Sequence, residues 1–205
     1  LNTRQYATKG YLEKLIAQVF TGRERFEPGN PQEGYSPSPQ ERQSWLQISY
    51  MKEAYHTMGP KFTLGWMAEA LYSSKNFSEN YTATMMQAGE FAPTPHSKLM
   101  YNEAFRANQY VAAGIKPIYV LNDMFQFRTE FYGFTPIFPI KKNALNKAYY
   151  GKAFSRFEYM GEVSVICHLP FGAISAYVNH YSSPRREWNV GLSIGWQLFN
   201  YRFIE

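Results

Sequence analysis

From Trp188 to Leu198 every second residue is large and apolar: Trp188, Val190, Leu192, Ile194, Trp196 and Leu198 alternate with Asn189, Gly191, Ser193, Gly195 and Gln197. A period of two is the repeat of a β-strand, whose successive side chains point to opposite faces. A helix, with its period of 3.6, cannot bring these six residues onto one side. The same alternation sets Phe157, Tyr159, Gly161, Val163, Val165, Cys167 and Leu169 against Arg156, Glu158, Met160, Glu162, Ser164, Ile166 and His168. It sets Phe62, Leu64, Trp66, Ala68, Ala70 and Tyr72 against Thr63, Gly65, Met67, Glu69, Leu71 and Ser73, and Phe125, Phe127, Thr129 and Phe131 against Gln126, Arg128, Glu130 and Tyr132. Weaker alternation runs through 45–55, 108–115 and 172–180, and residues 11–20 are the least regular candidate. The chain therefore reads as all-β, with about eight strands.

The connections alternate in length. Short turns are expected at Met58-Gly59-Pro60, at Gly114-Ile115-Lys116-Pro117 and at Leu169-Pro170-Phe171-Gly172, whereas long polar stretches run through 22–43, 74–102 and 135–152. The long stretches carry turn-forming residues and no helical period. Short turns at one end and long loops at the other are the plan of an antiparallel transmembrane β-barrel of the outer-membrane type. With the C-terminus on the periplasmic side, the long loops and the short Ser182-Ser183-Pro184-Arg185-Arg186 connection are extracellular.

A soluble β-sandwich or lipocalin-like barrel also alternates, but it needs a second layer over its apolar face. Nearly every strand here carries enough bulk to require such a layer, and none is visible in the sequence. Aromatic residues make up 18% of the chain, with 17 Tyr and 16 Phe. Facing that surface towards lipid in a closed sheet removes both the uncovered face and the exposed edges. A spanning strand needs only about 9–11 residues with one apolar side, so a mean hydropathy of −0.44 fits such a barrel. No run of apolar residues approaches the length of a membrane helix, and the first residues lack the features of a signal peptide. On this reading Trp66, Phe127, Tyr159, Val163, Leu192 and Ile194 face lipid.

Other chemistries find little support. The single cysteine, Cys167, forms no internal disulfide, and His56, His96, His168 and His180 lack metal-ligand spacing. No metal or cofactor is expected. The formal charge of +5 is modest and reads as dispersed, with none of the clustered basic patch and stacking aromatics that nucleic acid demands. Glu69, Glu130, Glu158 and Glu162 fall on polar strand faces, where ion pairs with Arg128 and Arg156 are a simpler role than acid–base catalysis. Arg23, Arg25, Lys141, Lys142, Arg185 and Arg186 lie in the connections expected to be extracellular, either solvated or in reach of lipopolysaccharide phosphates.

The C-terminal stretch Trp188–Phe203 resembles the terminal strand of BamA/TamA-superfamily barrels. Asn189, Gly191, Ile194 and Trp196 match its assembly signal of a polar residue, a glycine and two spaced hydrophobics, and Phe203 stands near the end as the closing aromatic. More specifically, Ala104–Ile118, Phe127–Phe134 and Ala173–Pro184 resemble the barrel region of bacterial patatin-like phospholipases. The resemblance implies a location in a Gram-negative outer membrane and a barrel of about 16 strands preceded by a patatin hydrolase and a POTRA-like domain, of which this chain is the C-terminal half, one barrel segment over 1–205. It further implies an extracellular loop folded back into the barrel, its arginine motif docked on inner-wall carboxylates. Phe105-Arg106-Ala107-Asn108 stands where that motif belongs, with Ala107 in place of the usual glycine; Glu130 is the first candidate partner and Glu158 the second.

A patatin site also needs a Ser in G-x-S-x-G, and Gly191-Leu192-Ser193-Ile194-Gly195 matches literally. A nucleophile elbow requires a sharp strand-to-helix turn, yet the strand period runs on through Trp196 and Leu198. Asp123 is the only aspartate. The segment is thus expected to be non-catalytic. Two functions follow from the resemblance: anchoring, and helping to secrete, an upstream patatin-like lipid hydrolase, or inserting and translocating other outer-membrane proteins. A soluble ligand-binding barrel is a remote third. Expected partners are outer-membrane lipid, lipopolysaccharide, the outer-membrane assembly machinery through the last strand, and the upstream patatin domain.

Overall fold

The computed structural model describes residue 1 and residues 6–24, 42–170, 172–182 and 188–196. Twelve strands and one short helix follow in the order β1 (Gly10–Arg23), β2 (Arg42–Thr57), β3 (Phe62–Ser73), α1 (Tyr81–Gln87), β4 (Gly89–Glu90), β5 (Arg106–Ala107), β6 (Gln109–Val120), β7 (Phe125–Pro136), β8 (Ile140–Lys142), β9 (Ala148–Tyr150), β10 (Glu158–Leu169), β11 (Gly172–Tyr181) and β12 (Trp188–Trp196). Eight of them form one antiparallel sheet in the order β1-β2-β3-β6-β7-β10-β11-β12. The sheet is not closed: β1 and β12 are not paired with each other among the described residues.

The alternation places its two faces as the sequence implies. In β7, Gln126, Arg128, Glu130, Tyr132 and Phe134 are buried, while Phe125, Phe127 and Phe131 are exposed. In β10, Met160, Glu162, Ser164 and Ile166 are buried, and Tyr159, Val163 and Val165 are exposed. Trp188, Val190, Leu192 and Ile194 of β12 are 70–79% exposed. Trp66 lies on the same outward face, half-buried. In β7 and β10 the polarity is therefore inverted relative to a water-soluble sheet, with charges inside and apolar side chains outside; on β1 and β2 the outward face also carries the Glu13–Lys52 ion pair. β1 is a full strand, paired with β2 from Gly10↔Tyr55 to Arg23↔Arg42; its alternation is faint because Leu15 and Val19 on one face and Leu12 and Ile16 on the other are all apolar.

One turn differs from expectation. Gly114–Pro117 lies within β6, and the chain reverses instead at residues 121–124. Proline lacks the N–H that a ladder requires, and pairing of β6 with β7 is interrupted at residues 116 and 117, between Ile115↔Phe131 and Ile118↔Arg128. Gly114 serves packing. A Cβ there would stand 2.1 Å from Tyr132 Cδ1, on the residue directly across the ladder. Gly65 accommodates Tyr55 in the same way, and Gly191 accommodates Tyr177.

The two long connections described in full are not structureless. Residues 137–157 fold into the β8–β9 hairpin, and residues 74–108 hold α1, the β4–β5 ladder and two 3-10 turns, Ser97–Leu99 and Glu103–Phe105. The second of these connections lies over the inward face of the sheet and completes its core. Phe91 and Phe105 pack on Phe134 at ring distances of 5.9 and 5.6 Å, together with Tyr110, Tyr132, Met160 and Tyr181.

Candidate functional site

Two structures meet on the inward face: the folded-back 74–108 segment and a belt of polar wall residues. The Asn80 side chain accepts from Ala83 N at 2.7 Å and starts α1, satisfying one of the free amides of a helix N-terminus. The helix delivers Met85 to a small core with Ala88 and Ile140. Gly89 lets β4 approach the wall, since a Cβ there would lie 2.9 Å from Leu71 Cδ2. Tyr110 OH donates to Glu69 at 2.6 Å and to the Glu90 carbonyl at 3.1 Å, tying wall and segment together. Further along, Thr94 and Ser97 close a small hydrogen-bonded turn, and His96 Nδ1 lies 2.8 Å from Tyr181 OH on β11. Burial holds the His96 pKa below its ordinary value. Burial, reinforced by its bond to Glu103, raises that of Tyr81.

Arg106 does not reach Glu130 or Glu158. Its Nη2 lies 2.5 Å from Glu90 Oε2, and Nη1 donates to the carbonyls of Met85, Met86 and Ala88. These carbonyls end α1, where helical C=O groups lack partners and a cation is favoured. The guanidinium also lies 4.8 Å from the Tyr101 ring centre. Arg106 is thus a clasp within the folded-back segment. The expected lock across to the wall is corrected by the β4–β5 register, which sets Arg106 directly opposite Glu90. Glu158 is bound by Arg156 Nε at 2.8 Å and by the Ser182 hydroxyl.

Glu130 belongs to a different network. Arg128 Nε donates to Glu130 at 2.5 Å, Tyr132 OH donates to the other carboxylate oxygen, and Arg128 Nη2 donates to Tyr55 OH at 2.7 Å. Lys116 is paired with Glu53. Arg128 Nη1 reaches the Ala7 carbonyl at 3.2 Å and Gln126 Nε2 the Tyr6 carbonyl at 3.3 Å, while Tyr6 OH lies 2.7 Å from Ser175 Oγ. Residues 6 and 7 are therefore strapped across the inward face from β7 to β11. Glu162 stands opposite Glu130 on one side and Asn179 on the other, and Glu69 accepts from Tyr110.

In β12, Asn189 and Gly191 lie on the inward side and Ile194 on the outward side, Trp196 is paired with Gly172, and Phe203 lies outside the described residues. Ser193 sits in mid-strand, opposite Ser175 within uninterrupted pairing. Cys167 is free. Among the described residues no group of three or more His, Cys, Asp or Glu side chains is placed to hold a metal ion, and no helix is long and apolar enough to cross a membrane. Sequence reasoning missed Tyr6, Tyr55, the Glu53–Lys116 pair and Glu90. Lys116 and Glu53 did leave a signal, the first as a charge at an inward position of a strand mistaken for a turn and the second as a charge on the polar face of the weak 45–55 alternation.

Fold and site together define an all-β chain built on one antiparallel eight-stranded sheet with a polar, loop-covered inward face. Comparison with known proteins gives no match: no family model fits the chain, and no curated protein or solved structure is significantly similar to it.

Proposed function

We propose that the chain is a segment of an outer-membrane β-barrel that anchors, and helps to secrete, a patatin-like lipid hydrolase carried upstream in the full-length protein. The observation that carries this reading is the exposed apolar face that adjacent strands share, set against a polar inward face in β7 and β10. A Val, Leu or Phe side chain left in water forgoes about 1.5–3 kcal/mol of burial. Leu15, Val19, Ile115, Phe131, Val163, Leu192 and Ile194 alone would forgo an amount comparable to the whole stability of a small domain, about 5–15 kcal/mol. Lipid covers such a face without any second protein layer.

Two further features support it. Exposed aromatics frame the aliphatic band: Tyr72, Phe157, Tyr159 and Trp188 near the long-loop end, Phe62, Tyr119 and Phe125 near the short-turn end. Such girdles mark the two interfaces of a membrane barrel. Among the described residues the outer sides of β1 and β12 are unpaired, which calls for further strands, and the resemblance to patatin-linked barrels supplies them as the other half of a barrel of about 16.

The test is fractionation of the full-length protein from a Gram-negative host. The expected result is recovery in the outer-membrane fraction, with a folded band of heat-modifiable mobility in detergent electrophoresis. Recovery in the aqueous fraction without detergent overturns the reading. Lipid hydrolysis that survives removal of all sequence upstream of residue 1 overturns the assignment of catalysis to an upstream domain.

A further inference from the structure

The charge of this chain is not dispersed. Residues 137–157 hold five basic residues, Lys141, Lys142, Lys147, Lys152 and Arg156, and no acidic one; the remaining residues carry 16 Lys and Arg against 16 Asp and Glu, so the whole formal charge of +5 resides in this one connection. Arg156 is taken by Glu158, but the four lysines are exposed and have no acidic partner among the described residues.

The connection is also built to hold them in place. β8 and β9 pair from Ile140↔Tyr150 to Lys142↔Ala148, and the ladder is extended by Gly151 N donating to the Pro139 carbonyl at 2.8 Å and Phe154 N to the Ile137 carbonyl at 2.9 Å. At the tip, Asn143 Oδ1 accepts from both Leu145 N and Lys147 N at 2.9 Å, and Asn146 takes the left-handed conformation at φ 58°, which asparagine tolerates better than most residues. Buried Ile140 plugs the base into the core of Met85 and Ala88. Fixed lysines therefore stand on both sides of an exposed apolar tip, Leu145, with Phe154 and Phe157 exposed beside the strand ends.

The hairpin's height above the sheet decides what it meets. β7 and β10 each have 12 residues. At about 3.3 Å per residue and a tilt of about 40°, a strand of that length rises roughly 30 Å, close to the thickness of a bilayer's hydrocarbon core. The base of the hairpin, directly after Pro136 and directly before Glu158, then lies at the level of lipid headgroups. Lysines at that level meet anionic phosphates, and the adjoining aromatics meet acyl chains.

We propose that the β8–β9 hairpin is a binding site for the phosphorylated glucosamine headgroup of lipopolysaccharide, through Lys141, Lys142, Lys147 and Lys152. This rests on the outer-membrane barrel reading above, since only the outer leaflet of that membrane presents this headgroup at the long-loop end. Attraction to phosphates makes the binding salt-dependent.

The experiment titrates the full-length protein in detergent with bisphosphorylated lipid A, with the same lipid after enzymatic removal of its phosphates, and with phosphatidylglycerol. The companion variant carries Lys141→Gln, Lys142→Gln, Lys147→Gln and Lys152→Gln, and heat-modifiable mobility reports whether each barrel is folded. The wild type is expected to bind bisphosphorylated lipid A at least tenfold more tightly than either comparison lipid, and the variant to lose at least that factor. An intact barrel whose affinity ignores the lysines or the phosphates overturns this proposal alone. Equal affinity for phosphatidylglycerol overturns it in favour of a general anionic surface. A protein that is soluble without detergent overturns the barrel and the proposal together.

Discussion

Arg128 and Glu130 stand two residues apart on one strand and on one face of it, with the guanidinium Nε donating to the carboxylate at 2.5 Å. Both are buried, and both have further partners: Tyr55 and the Ala7 carbonyl for the arginine, Tyr132 for the glutamate. The pair occupies the wall position where a folded-back loop arginine was expected. Arg106 instead clasps its own segment to Glu90, and the inner-wall carboxylate is satisfied from its own strand.

Removing one member of this buried pair leaves the other charge without compensation. Arg128→Ala and Glu130→Ala are each expected to cost about 3–5 kcal/mol in denaturant unfolding from lipid or detergent. Because the two losses share a cause, the double variant should lose less than their sum. Additive effects below 1 kcal/mol would remove the pair from the list of what holds the sheet together.

Arg106→Ala should behave differently. It is expected to loosen residues 81–106, seen as faster amide hydrogen exchange there, while exchange in β7 and β10 stays slow. The same variant in a Glu130→Ala background should give no extra coupling. A strong coupling between Arg106 and Glu130 would restore the cross-barrel lock that the geometry contradicts.

Packing against Gly114 offers a test of the inward tyrosines. With a Cβ 2.1 Å from Tyr132 Cδ1 and 2.8 Å from the Phe131 carbonyl oxygen, Gly114→Ala forces ring and backbone apart. Overpacking of this kind costs about 1–3 kcal/mol. Tyr132→Leu made in the same chain should recover part of that loss. Unchanged unfolding midpoints for Gly114→Ala would mean that the ring has room to move aside.

Most of the sheet was legible because period-two alternation is a local signal that needs no knowledge of neighbours. β7, β10 and β12 show it without interruption. It failed where one residue type has two uses: Gly114 and Pro117 are turn residues by habit, yet one makes room for a tyrosine and the other marks a break in pairing. It was faint in β1, where Leu12 and Leu15 put apolar bulk on opposite faces. Arg128–Glu130 was legible as an i, i+2 pair on a polar face. Arg106–Glu90 was not, because 15 residues separate them and only the two-residue β4–β5 ladder brings them together. Nor does any pattern in residues 6 and 7 announce that their carbonyls are bound by Gln126 and Arg128.

Val163 and Ile194 test the outward face directly. Both are exposed, but at different depths: Val163 is in the middle of β10, whereas Ile194 is in register with Ile174, Cys167 and Phe125 near the short-turn end. An arginine costs about 2–4 kcal/mol near a bilayer midplane and about 0–1 kcal/mol near its interfaces, so Val163→Arg should lower the unfolding free energy in lipid vesicles by the first amount and Ile194→Arg by less. On a water-facing surface such changes fall within about 0.5 kcal/mol of neutral. A value that small at Val163 would place this face in water.

His96 makes the docking of the folded-back segment depend on pH. Its ring lies 5.6 Å from the Tyr177 ring and 5.8 Å from that of Tyr181, with Nδ1 bonded to the Tyr181 hydroxyl. Burial lowers its pKa from 6.5. The undocked segment therefore takes up the proton first as pH falls. The stability that neutral His96 lends to docking is fully present above about pH 6.5 and is lost as pH drops through the lower, docked value. Amide exchange of residues 91–105 should be slow at pH 8 and, once corrected for the intrinsic pH dependence of exchange, faster at pH 5. His96→Phe keeps a ring between the two tyrosines but has nothing to protonate, so its corrected exchange should be the same at both values. A wild-type segment equally protected at pH 8 and pH 5, or a His96→Phe variant with the same acid-induced loss, would assign the pH response to other groups.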